Sequence, residues 1–139
     1  MRLEIAVRSG LAKLHLDLRR GDGPPGAQYY NFPALAASEE FIKEHPDLAA
    51  GAVRAIVKTQ KALKADPTLA TKVGEEMFPR QEAEVIAELV ERDAPFYDAK
   101  ISQEAVAGLN EFCVASGLLA KPLAYDRWVA TQFRDLWKG

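Results

Sequence analysis

Cysteine is the scarcest reactive residue in this chain of 139 residues: Cys113 is the one copy. A single thiol excludes an internal disulfide and any zinc cluster built on paired cysteines. Histidine occurs twice, at His15 and His45. Charge of one sign is not in excess either, with 18 basic and 20 acidic residues and a net charge of −2. No basic stripe appears, so nucleic acid is not an expected partner. No apolar run is long enough to cross a bilayer. The start, Met1-Arg2-Leu3-Glu4-Ile5, has no signal-peptide apolar core and no cleavage site. A chain complete as given is then expected in the cytoplasm. An export signal on residues outside this sequence would instead place it in the periplasm or at the cell surface.

What is present is the composition of a folded chain: 48% apolar and 27% charged residues. The length suits one domain with a sizeable core. Two textures divide it. Residues 1–37 lean towards strand and loop and hold four of the nine glycines, which makes this part rich in turns. Leu3, Ile5 and Val7, then Leu14, Leu16 and Leu18, alternate with polar residues in the period of half-buried strands. The first of these runs also reads as a helix entering Gly10. Residues 19–26, Arg-Arg-Gly-Asp-Gly-Pro-Pro-Gly, form a loop. The apolar run at 28–37 carries Pro33, which confines it to an edge strand or a bent, hinge-like strand.

From Ser38 to Gly139 the pattern is helical. Pro46 suits a first helical position, and Ala49, Ala52, Val53, Ile56, Val57 and Leu63 follow as an apolar stripe. Asp66-Pro67 stops that helix and starts another along Leu69, Ala70, Val73 and Met77. Pro79 opens the next, with Ala83, Ile86, Leu89 and Val90 inward. Ser102 is placed to cap a helix bearing Ala105, Val106, Leu109, Phe112 and Cys113, with Gly117 at its end. A last helix carries Tyr125, Trp128, Val129, Phe133, Leu136 and Trp137. Ile56, Leu89, Phe112, Trp128 and Phe133 sit at stripe centres and are the expected core. The fold class expected is mainly α with a small N-terminal β portion, the 1–37 and 38–139 segments together making one domain.

Several segments occur in an order that resembles one protein family. Arg19-Arg20-Gly21-Asp22-Gly23-Pro24 precedes the tyrosine-bearing run with Tyr29, Tyr30 and Phe32. Ser38-Glu39-Glu40-Phe41-Ile42-Lys43-Glu44-His45-Pro46 follows as a strand-exit turn and helix start. Lys64-Ala65-Asp66-Pro67 is the break after the long helix. Asp98-Ala99-Lys100-Ile101-Ser102, Gly117-Leu118-Leu119 and Lys121-Pro122-Leu123 are connectors near the end. Over residues 10–138 this series resembles the C-terminal part of the substrate-binding proteins for nitrate, sulfonate, taurine and thiamine-pyrimidine precursors. Those are solute receptors of ABC importers with a type 2 periplasmic-binding fold. The family's sheet-rich first part is not in this sequence, nor is the cysteine-rich motif of its thiamine-pyrimidine synthases.

The resemblance implies a non-enzymatic small-molecule binding module for small organic anions or pyrimidine-like compounds, with no cofactor and no metal. Its implied partners are the missing first lobe, an ABC permease in the full-length protein, or a second copy in a homodimer. Part of a thiamine-pyrimidine enzyme and a helical interaction domain without a cleft remain the alternatives. The resemblance places Arg19, Arg20, Tyr30 and Asn31 near the inter-lobe hinge as ligand-binding candidates. Arginine offers a donor fork to sulfonate, nitrate or phosphate, and tyrosine and asparagine suit a small ring. The competing reading is that the arginines are solvated loop charges and the tyrosines are core. His15 and Asp17, two apart, read as one solvated strand face. Cys113 reads as a small core residue.

Overall fold

The computed structural model describes residues 2–25 and 34–138. Among these residues lie seven α-helices: α1 Arg2–Arg8, α2 Glu39–Glu44, α3 Pro46–Ala65, α4 Leu69–Met77, α5 Arg80–Asp93, α6 Gln103–Ala115 and α7 Tyr125–Trp128. Short 3-10 turns lie at Leu18–Arg20, Ala94–Phe96 and Thr131–Lys138. The molecule is mainly α, and no strand occurs among the described residues. No helix among them is long and apolar enough to cross a membrane.

Among the described residues the expected N-terminal β portion is therefore corrected. Residues 3–7 lie within helix α1, which ends at Gly10. Gly10 adopts φ +70°, and the Leu11 N–H reaches the Ala6 carbonyl at 2.9 Å while the Gly10 N–H reaches Val7 at 3.1 Å. That double closure is the glycine-terminated helix end. Glu4 and Arg8 pair at 3.1 Å one turn apart, which supports helix and not strand. Residues 14–17 have no regular structure, and Leu18 enters a 3-10 turn. Period-two alternation makes a strand only where a partner strand takes up its backbone groups. The 28–37 run lies outside the described residues as far as Pro33, and Ala34–Ala37 have no regular structure.

Contacts sort the chain into two units, one of Met1–Leu16 with Lys58–Asp98, the other of Asp17–Val57 with Ala99–Gly139. In the first, α4 packs on α5 through Gly74. A side chain there would meet Ile86 Cγ2 at 3.3 Å and Ala83 Cα at 3.6 Å, so glycine permits the close approach. Ala83, Val85 and Val90 of α5 and Ala94 after it are buried. Charged side chains join α1 to α5: Arg92 donates to Glu4 at 2.8 Å, and Arg8 bonds Glu88. Both pairs are solvent-exposed, so they orient α1 more than they stabilise it. The Lys64 ammonium at the end of α3 donates to the Tyr97 carbonyl at 2.7 Å.

In the second unit, Ser38 accepts from the Phe41 N–H at 3.1 Å and caps α2. Ser102 accepts from Ala105 at 3.0 Å and caps α6. Gly117, at φ +72°, ends α6 as expected: the Leu118 N–H meets the Cys113 carbonyl at 2.8 Å and the Gly117 N–H meets Val114 at 3.0 Å. Ala105, Val106 and Cys113 are buried on one side of α6. The last predicted helix is broken. α7 stops at Trp128, Val129 takes extended backbone and buries its side chain, and a 3-10 turn continues from Thr131.

The core differs from the expected list. On α3 the stripe splits: Ala49 and Val57 are buried, whereas Ile56 is 47% exposed. Phe112 is 48% exposed and Trp128 is exposed as well. Leu89 and Phe133 are partly covered. Small and medium residues fill the buried positions, and three of the five large stripe-centre residues, Ile56, Phe112 and Trp128, are exposed.

Candidate functional site

The arginine loop begins at Asp17, which is buried. Its carbonyl accepts from the Arg20 N–H at 3.0 Å and the Asp22 N–H at 3.3 Å, and the Gly21 N–H donates to Leu18 at 3.1 Å. The Asp17 N–H donates to the Asp22 carboxylate at 3.0 Å. Gly21 at φ +83° and Gly23 at φ +137° make the reversal that other residues disfavour. The loop thus closes on its own backbone.

Arg20 sits on this frame with its Nε 3.6 Å from the Asp17 carboxylate and most of its side chain in solvent. An exposed guanidinium of this kind can present donors to an oxyanion. Tyr30 and Asn31 lie outside the described residues, and so does the side chain of Arg19. Of the four predicted ligand-binding residues, the structure therefore places one side chain. His15 is exposed while Asp17 is buried, so the single solvated strand face expected for them is corrected. Cys113 is buried on α6, as its apolar stripe predicts.

A second polar centre lies where sequence reasoning named none. Asn110 is buried on α6. Its amide donates to the Leu123 carbonyl at 2.8 Å, and its oxygen accepts from the Leu123 N–H at 2.9 Å and the Trp128 indole at 3.0 Å. One side chain thereby ties the connector and α7 to α6. Tyr125 adds a bond from its hydroxyl to the Ile101 carbonyl, with the Arg134 guanidinium 5.7 Å from its ring centre. The signal was legible: an asparagine inside the run Val106, Leu109, Cys113 is a polar residue on an apolar face, and such residues need partners.

Each unit carries a shallow open groove. One, of about 550 Å³, is lined by Ala107, Asn110, Glu111, Val114, Ala115 and Pro122. The amide of Asn110 is already used, so this groove offers apolar surface and the Glu111 carboxylate. It has no cationic group for an anion. The other, of about 390 Å³, is bordered by Lys64, Pro67, Glu91, Ala94 and Pro95, and the Lys64 ammonium is engaged by Tyr97. Burial first, and the Asp93 carboxylate second, push the Tyr97 phenol above its ordinary pKa. The Glu104 carboxyl is held below its usual range by its own backbone N–H first and by the Ser102 hydroxyl second. Among the described residues no group of three or more His, Cys, Asp or Glu is arranged to hold a metal ion.

No family model, no curated protein and no solved structure matches this chain.

Proposed function

We propose that the chain is the C-terminal, helical part of a solute receptor of periplasmic-binding type. It would serve an ABC importer for small organic anions or pyrimidine-like compounds. It performs no covalent chemistry in this reading. Ligand is held by closure of two lobes, with Arg20 supplying donors from its exposed guanidinium and Arg19, Tyr30 and Asn31 completing the hinge side. The full-length receptor works in the periplasm or at the cell surface and docks on a permease.

One observation carries the reading beyond the order of the sequence segments. Each of these apolar stripes leaves large members uncovered, with Ile56 on α3, Val73 and Met77 on α4 and Phe112 on α6 exposed. A stripe of that width is built to be buried. A missing sheet-bearing lobe is the cover this reading supplies.

A freestanding helical interaction domain is the second reading, favoured by the same exposed faces and by the apolar lining of the α6 groove. The coding DNA upstream of the first codon separates the two. An in-frame, sheet-rich lobe beside permease and ATPase genes is the expected result. A stop codon immediately upstream, with no transport genes nearby, would remove the receptor reading. With the longer protein in hand, calorimetry against taurine, an alkanesulfonate and an aminopyrimidine names the ligand class. Tight binding that survives combined Arg19→Ala and Arg20→Ala would exclude these arginines as the anchor.

A further inference from the structure

We draw no further inference here: the strongest candidate, the shallow apolar groove that Ala107, Val114, Ala115 and Pro122 form on α6 and the connector after it, is a face for which nothing in the structure shows what covers it.

Discussion

Asn110 shows how much one side chain can organise when its environment is apolar. It answers both backbone groups of Leu123 and the indole N–H of Trp128. Truncation strands all three partners at a partly buried site. Asn110→Ala is expected to cost roughly 2–4 kcal/mol, because each buried group left unpaired costs about 1–3 kcal/mol and relaxation towards water recovers part of it. Urea unfolding measures this. A cost within the roughly 0.5 kcal/mol typical of surface substitutions would mean that water replaces the amide freely. Tyr97 gives a pH test of opposite character. Its phenol is raised above the ordinary value of 10.0 by burial and then by Asp93. A raised folded-state pKa means that the native state holds the proton more tightly. The associated stability is present in full below the unfolded pKa and is lost as pH rises through the folded value. Stability should therefore fall above about pH 10, and Tyr97→Phe should flatten that fall. Absorbance of tyrosinate at alkaline pH should show a late-titrating phenol that is lost in the variant. A titration whose late part is the same in the variant would contradict the burial.

At the scale of elements, the helices whose ends carry chemistry were legible and those defined by alternation were not. Ser38, Ser102 and Gly117 marked their helix ends because a hydroxyl acceptor or a positive φ is a local requirement that tertiary context rarely cancels. Asp66 did the same, although α4 begins at Leu69, later than the Pro67 start expected: the carboxylate takes the Thr68 N–H at 3.0 Å and holds Pro67 in the turn. At 3–7 the strand reading failed and the alternative helix entering Gly10 held: Leu3, Ile5 and Val7 fit period two, whereas Glu4, Arg8 and Gly10 fix a helix and its end. The site was legible only in part. Arg20 could be named from its loop, but its pairing with Asp17 depends on a fold of the loop that spacing does not reveal. Gly74 was not singled out, since a glycine inside a helix usually weakens it. Its role appears in packing, with Ile86 Cγ2 at 3.3 Å and Cδ1 at 3.4 Å from where a Cβ would sit. Two opposed effects then set the outcome of substitution. Alanine gains helix propensity of up to about 1 kcal/mol and loses some of it to crowding that the Ile86 side chain can relieve. Gly74→Ala should thus change stability little. Leucine must part α4 from α5, and Gly74→Leu should cost roughly 1–3 kcal/mol or more. Equal melting temperatures for the leucine variant and the parent would show that α4 does not pack on α5 through this residue.

For the molecule as a whole, the distribution of large apolar side chains is the fact that any function must accommodate. The buried positions are held by Ala49, Val57, Ala83, Val85, Val90, Ala105, Val106, Cys113 and Val129, all small or medium in size. Leu48, Ile56, Val73, Met77, Phe112 and Leu118 are exposed. Each unit thus carries large apolar side chains in solvent, and apolar surface of this kind is a candidate interaction face where it gathers into a patch. Under the receptor reading the cover is a lobe of the same polypeptide, and under self-association it is a second copy in a two-fold dimer. Truncation energetics distinguishes these covers from permanent exposure. A fully buried Phe→Ala change costs about 3–5 kcal/mol. With Phe112 48% exposed, Phe112→Ala in the isolated chain should cost about half that, roughly 1–2 kcal/mol when scaled by area. Ile56→Ala should behave alike. In the longer protein, with the upstream lobe in place, both costs should rise towards the buried range. In a dimer they should rise instead with the concentration of the chain itself, because association then contributes to apparent stability. Light scattering across the same concentrations reports the mass directly. Small, concentration-independent costs in both the isolated chain and the longer protein, with monomer mass and no apolar-dye binding throughout, would show that the outward half of the stripe is never covered. That result would overturn the receptor reading at its main support.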